Sequence, residues 1–121
     1  MSLLNNGKNI FSKEYFFPVN GCIKAMARDF DKDGDLDIAV IGFFTDNQQP
    51  EEGFIYLENK GNFHFQPYSL PLETNFKKAT TMDVADIDGD GKQDIIIGHG
   101  FIGNNSMDDK KPLFIVLKNR F

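Results

Sequence analysis

The chain has 121 residues, of which 40% are hydrophobic and 26% charged, and its formal net charge is −5. This size and composition are typical of one small globular domain with a real core. The negative charge argues against a nucleic-acid partner, because such partners are bound through clustered lysine and arginine. The longest apolar run, IAVIGFF at 38–44, is too short to span a bilayer. The single cysteine, Cys22, has no partner for an internal disulfide and is expected to be a small buried residue.

Short segments rich in Ile, Val, Phe and Tyr are separated along the chain by Gly, Asn and Asp, and none has sustained helical periodicity. Alternation within these segments favours strands: Ile23, Ala25 and Ala27 share one predicted strand face, and Met82 and Val84 share another. The predicted strands, in chain order, are 3–5, 12–17, 22–28, 37–43, 53–58, 63–69, 79–85, 94–98 and 113–118. The predicted fold class is all-β.

The predicted strands belong to a repeating unit. DFDKDGDLD at 29–37 aligns with DIDGDGKQD at 86–94 at a separation of 57 residues. Matches continue outside these windows, as between LLNNGKNIF at 3–11 and LENKGNFHF at 57–65. A partial copy at 115–121, IVLKNRF, ends the chain. A repeat of this length is typical of β-propeller blades, each an antiparallel sheet.

The repeats do not amount to a closed ring. We interpret residues 1–121 as one repeat region, with the end of one blade at about 3–17, a complete blade at 22–70 and most of a further blade at 79–121. A propeller usually needs about 4 to 8 blades, and this chain supplies about two. We therefore expect a partial or open propeller, which further blades or self-association of copies would close.

The two aspartate-rich windows predict two calcium sites. Carboxylates crowded into so short a loop repel one another, and a divalent cation at their centre removes that repulsion. Calcium takes about 6 to 8 oxygen ligands, and D-x-D-x-D-G wraps alternate carboxylates around it. In the first loop the predicted ligands are the side chains of Asp29, Asp31, Asp33 and Asp37 and the backbone carbonyl of Asp35. In the second loop they are the side chains of Asp86, Asp88, Asp90 and Asp94 and the backbone carbonyl of Lys92.

Three other interpretations account for part of this pattern. An EF-hand begins with the same residues but needs a bidentate Glu at its twelfth place, where this chain has Val40 and Ile97. Magnesium prefers fewer protein ligands and more water. An acidic turn without any ion is the simplest alternative, since Asp and Gly are common in turns. Two copies at matching places in a repeat favour a metal loop over such a turn.

The pattern DxDxDGxxD, preceded by an alternating strand and followed by an apolar one, resembles the FG-GAP repeat of integrin alpha-subunit propellers and the related bacterial VCBS repeat. The segment YLENKGNFHFQPYSL at 56–70 is similar to a strand pair of VCBS repeats. The resemblance implies a propeller blade whose calcium loop joins its first and second strands. GHG at 98–100 stands where the integrin type has GAP, which favours the bacterial type.

The function expected from this resemblance is that of a non-catalytic, calcium-binding module for adhesion or for binding a protein or carbohydrate, within a larger extracellular, cell-surface or periplasmic protein. The sequence contains no recognisable catalytic motif. The alternative is the propeller portion of an enzyme acting on polysaccharide, similar to rhamnogalacturonan lyases. The longer segments at 43–53 and 100–112 are candidate partner-contact loops.

Overall fold

The structure is a computed structural model, and it describes residues 2–5, 7–8, 10–15, 21–42, 53–69, 79–99 and 114–121. Nine strands are present in these ranges. They are β1 (Ser2–Asn5), β2 (Phe11–Tyr15), β3 (Cys22–Arg28), β4 (Asp37–Gly42), β5 (Phe54–Asn59), β6 (Phe65–Ser69), β7 (Ala79–Ala85), β8 (Asp94–His99) and β9 (Phe114–Leu117). The predicted all-β class is confirmed, and each predicted strand overlaps an observed one. Within the described parts of the chain, no helix has the length and apolar character needed to cross a bilayer.

The strands form three antiparallel sheets in which chain order is also spatial order. β1 pairs with β2, β3 to β6 form a four-stranded sheet, and β7 to β9 form a three-stranded sheet. The sheets are separate and no barrel closes, so the described chain is an open, partial propeller of antiparallel blades. The predicted partner-contact segments at 43–53 and 100–112 lie almost entirely outside the described residues.

The four-stranded and three-stranded sheets pack face to face, and one apolar core lies between them. We call the contributing face of the four-stranded sheet its back face; it consists of Met26, Ala39, Ile41, Phe54 and Tyr56, with Phe30 from the loop after β3. We call the contributing face of the three-stranded sheet its front face; it consists of Met82, Val84, Ile95, Ile97, Ile115 and Leu117. Alternation along each strand places these residues on one side of each sheet.

The two opposite faces of this pair of sheets differ in burial. The front face of the four-stranded sheet has a second buried cluster of Val40, Ile55 and Leu57. The back face of the three-stranded sheet is open, and Phe114 and Val116 are 61% and 44% exposed there. Front and back faces thus alternate through the stack, as they do in a series of propeller blades.

Cys22 differs from its expectation, because its side chain is exposed. It begins β3, and β3 is an edge strand of the four-stranded sheet. Most of β3 is likewise exposed, and only Met26 packs against the core between the sheets. The prediction from residue type was therefore wrong, because an edge strand offers little cover to the side chains it carries.

The packing of the two sheets predicts a large contrast between two truncations in the three-stranded sheet. Met82 is 1% exposed in the core, so Met82→Ala should lower the free energy of unfolding by about 2–5 kcal/mol. Val116→Ala on the open face should change it by less than about 0.5 kcal/mol. Urea unfolding followed by circular dichroism measures both. Equal effects of the two substitutions would contradict the face-to-face packing.

Candidate functional site

Each aspartate-rich window forms the connection between the first two strands of its sheet. The first aspartate loop, residues 29–37, joins β3 to β4, and the second aspartate loop, residues 86–94, joins β7 to β8. The glycine of each D-x-D-x-D-G motif takes a left-handed backbone, with φ +97° at Gly34 and +88° at Gly91. Glycine adopts this conformation without steric strain, so both loops can turn sharply at the same place.

Three carboxylates meet in each loop. Oxygens of Asp29, Asp31 and Asp37 all lie within 4.8 Å of one another, and so do those of Asp86, Asp88 and Asp94. Members of the two sets occupy equivalent places in the repeat. The structure therefore brings together six of the predicted ligands, three from each loop. The others, Asp33, Asp35, Asp90 and Lys92, belong to the same loops but not to these close clusters.

Backbone N–H groups hold the carboxylates of the first loop in place. Asp29 accepts hydrogen bonds from the N–H groups of Asp33, at 3.1 Å, and Gly34, at 2.9 Å. Asp31 accepts from the N–H of Asp33 at 3.2 Å, and Asp33 accepts from that of Asp35 at 2.9 Å. The loop is thus folded around its own acidic side chains.

The second loop repeats this network at equivalent places. Asp86 accepts from the N–H groups of Asp90, at 3.1 Å, and Gly91, at 2.7 Å. Asp88 accepts from the N–H of Asp90 at 3.3 Å, and Asp90 accepts from that of Lys92 at 2.9 Å. The two loops therefore share these four hydrogen bonds, and the second loop adds one from the N–H of Gly89 to Asp86, at 2.9 Å.

The last carboxylate of each loop is buried, and both of its oxygens accept hydrogen bonds. Asp37 is 0% exposed and accepts from the N–H of Phe30, at 3.0 Å, and from the N–H of Asn59, at 2.9 Å. Asp94 is 1% exposed and accepts in the same way from Ile87, at 3.1 Å, and Asn119, at 2.9 Å. A buried carboxylate is tolerated only when hydrogen bonds replace its water. Each loop is consequently fastened to the end of the third strand of its sheet.

The two asparagines that donate these bonds are site residues that the sequence analysis did not assign. The Asn59 side-chain amide also donates to the carbonyl of Leu36, at 3.1 Å, within its own sheet. The Asn119 amide donates instead to the carbonyl of Phe30, at 2.7 Å, and so links the three-stranded sheet to the first loop. Their repeated place after Leu57 and Leu117 was visible in the sequence, but a hydrogen bond to a distant loop was not.

The charge around the second carboxylate differs between the loops. Burial, and then the negative charges of Asp37 and Asp33, raise the pKa of Asp31 to about 6. At the equivalent place, a hydrogen bond from the Lys118 ammonium lowers the pKa of Asp88 below its ordinary range. The first loop therefore keeps uncompensated negative charge, while part of the charge of the second is neutralised.

The donor set fits a hard divalent cation. All clustered donors are carboxylate oxygens, and no nitrogen or sulfur ligand accompanies them in the two clusters. Calcium prefers such ligands, and softer metals prefer imidazole or thiolate. Burial, and then the charges of Asp37 and Asp33, disfavour the ionised form of Asp31, and a bound cation would favour it. Each cluster is therefore able to hold a metal ion.

Comparison with known proteins identifies the family. The family model of the FG-GAP-like repeat matches residues 29–97, which is more than half of the chain. The match extends from the first aspartate loop through the second and into β8. The chain therefore belongs to the FG-GAP-like repeat family, as its resemblance predicted, and it is a β-propeller-type binding module. Comparisons with curated proteins and with solved structures found no match.

The buried bonds of Asp37 predict a structural role that does not depend on any metal. Asp37→Asn replaces one accepting oxygen by an N–H₂ donor, so one of the N–H groups of Phe30 and Asn59 loses its partner. In chelator, the free energy of unfolding should fall by about 1–3 kcal/mol. The matched control is Asp35→Asn, an exposed position, which should change it by less than about 0.5 kcal/mol. If Asp37→Asn left the free energy of unfolding in urea unchanged, this role would be contradicted.

The raised pKa of Asp31 predicts that, without metal, this residue lowers the free energy of unfolding as pH rises. Because the folded pKa of about 6 exceeds the ordinary 3.8, the folded state binds more protons than the unfolded state between these values. Asp31 should therefore destabilise the fold as pH rises from 4 to 6. We expect Asp31→Asn to remove this contribution when urea midpoints of variant and wild type are compared in chelator across this range. Asp88→Asn is the control, since the pKa of Asp88 is shifted in the opposite direction. Identical pH profiles for Asp31→Asn and wild type would refute the prediction.

Proposed function

We propose that this chain is a non-catalytic, calcium-binding repeat module in which two calcium ions stabilise the aspartate loops. The observation that carries the proposal is the pair of equivalent carboxylate clusters, each already folded by its own backbone N–H groups. Asp29, Asp31 and Asp37 would hold one ion, and Asp86, Asp88 and Asp94 the other. Asp33, Asp90 and the carbonyls of Asp35 and Lys92 are the further proposed ligands.

Calcium bound there would act on stability. It would supply the positive charge that the crowded carboxylates lack, without taking part in a reaction. Because an ion that binds only the native state adds its binding free energy to folding, calcium would strengthen the connection between the first two strands of each sheet. Support for a structural role comes from Asp37 and Asp94, since both oxygens of each are bonded to backbone groups of the fold.

We further propose that the module serves adhesion, or the binding of a protein or carbohydrate, in an extracellular, cell-surface or periplasmic protein. Membership of the FG-GAP-like repeat family supports a binding role. Loops without the bidentate Glu of an EF-hand are expected to bind calcium with dissociation constants of about 10⁻⁴ to 10⁻³ M, as in extracellular modules. The open back face of the three-stranded sheet, with Phe114 and Val116 exposed, supports association with further blades or with other copies.

Thermal unfolding in calcium and in chelator tests the proposal. At a calcium concentration one hundred times the dissociation constant, each occupied site should add about 2.7 kcal/mol to the free energy of unfolding, so the melting temperature should rise clearly. Magnesium at the same concentration is the control and should raise it less, because it binds fewer protein ligands. A melting temperature that does not change with calcium would refute the proposal. Repeating the measurement at several protein concentrations tests self-association.

A further inference from the structure

The two aspartate loops receive opposite charges from the strand that closes each site. The Lys118 ammonium donates to a carboxylate oxygen of Asp88 and lies 3.8 Å from an oxygen of Asp90. Lys118 immediately precedes Asn119, whose backbone N–H binds Asp94. In the four-stranded sheet, the residue that immediately precedes the corresponding Asn59 is Glu58. The same place in the repeat is therefore a cation beside the second loop and an anion beside the first.

Among the described residues, no other ammonium donates a hydrogen bond to a carboxylate of the first loop. The ammonium of Lys60 pairs with Glu58 at 2.8 Å, and the charge of Asp31 acts on it less than Glu58 does. The ammonium of Lys32, which belongs to the first loop, reaches the second loop, where it lies 3.6 Å from the place a β-carbon on Gly91 would take. Among the described residues, the positive charge near the two loops is thus concentrated on the second.

We propose that Lys118 is a built-in counter-ion of the second aspartate loop, and that it makes the two calcium sites unequal, the second binding calcium more weakly than the first. This inference rests on the proposed calcium function and deepens it. A divalent cation entering the second loop must displace the ammonium from Asp88, whereas no ammonium among the described residues is bonded to the first loop. Lys118 is 48% exposed, so it can swing into water when the ion binds. An exposed ion pair of this kind should change the second site's affinity by about two- to fivefold.

Lys118 also gives the second loop a means of keeping its fold without metal. Its ammonium reaches the same carboxylates that the ion would bind, and so reduces their mutual repulsion. At low calcium the first loop would then be the occupied one, and the second would be held by the lysine. Stepwise filling over a wider range of calcium concentration follows from this difference.

One tyrosine provides a readout that favours the first site. Tyr56 lies beside the first loop, where the charges of Asp37 and Asp31 act on its hydroxyl. Its equivalent in the three-stranded sheet, the residue three places before Asn119, is Val116. The chain has no tryptophan, and its three tyrosines are Tyr15, Tyr56 and Tyr68. Terbium is an oxygen-seeking stand-in for calcium, and its tyrosine-sensitised emission should report the first site.

The experiment combines calcium calorimetry with tyrosine-sensitised terbium emission on the full chain. Wild type should show a tighter and a weaker calcium site, and calcium should quench the terbium emission over the range of the tighter one. Lys118→Gln keeps the length of the side chain and removes its charge, so the weaker site should tighten about two- to fivefold with the terbium-reported site unchanged. The mirror variant, Glu58→Lys, places the cation beside the first loop and should weaken the terbium-reported site only.

Different outcomes separate the two proposals. If wild type binds no calcium at either site, the proposed function fails. If calcium binds but the two sites are equal, or if Lys118→Gln and Glu58→Lys leave both affinities unchanged, the proposed function stands and the role of Lys118 is overturned. Circular dichroism verifies that each variant is folded, and because the two substitutions lie in different sheets, either one alone is able to overturn the proposal.

Discussion

The rest of the site depends on one interaction, the buried carboxylate that links each aspartate loop to a distant strand end. Asp37 and Asp94 each accept one bond from the loop and one from an asparagine N–H that is 22 and 25 residues away, respectively. Because such a carboxylate has no water to replace a lost partner, the loop and the end of the third strand must keep their relative positions. The remaining aspartates then lie on a fixed frame, and a cation does not have to organise them from a disordered loop.

The same frame connects the sheets to each other. The Asn119 amide reaches the carbonyl of Phe30 in the first loop, and the Phe30 ring packs edge-on against Tyr56 in the core between the sheets, with centroids 5.9 Å apart. The shape of the first loop thus depends on the neighbouring sheet as well as on its own. An ion that bound that loop only in the assembled state would accordingly stabilise the contact between the sheets.

Much of this could be predicted from the sequence, because it depends on local pattern. Alternating apolar residues indicated the strands, and the spacing of Asp and Gly indicated loops in which Asp29, Asp31 and Asp37 come together. Features that require a distant partner could not be predicted in this way. The bonds of Asn59 and Asn119 and the contact of Lys118 with Asp88 depend on which strand end reaches the loop. The exposure of Cys22 depends on its place on an edge strand.

The repeat also shows what a metal-loop motif leaves undetermined. Both loops have the same aspartate spacing, the same left-handed glycine and the same buried carboxylate, yet the second carboxylate is affected in opposite directions. The lowered pKa of Asp88 arises outside the motif, from Lys118 just after β9, whereas the raised pKa of Asp31 arises from burial and from Asp37 and Asp33 of its own loop. A motif of alternate carboxylates therefore specifies the class of ion that a loop can hold. A charge placed beside the loop, as Lys118 is beside Asp88, changes how much carboxylate repulsion is left for an ion to remove.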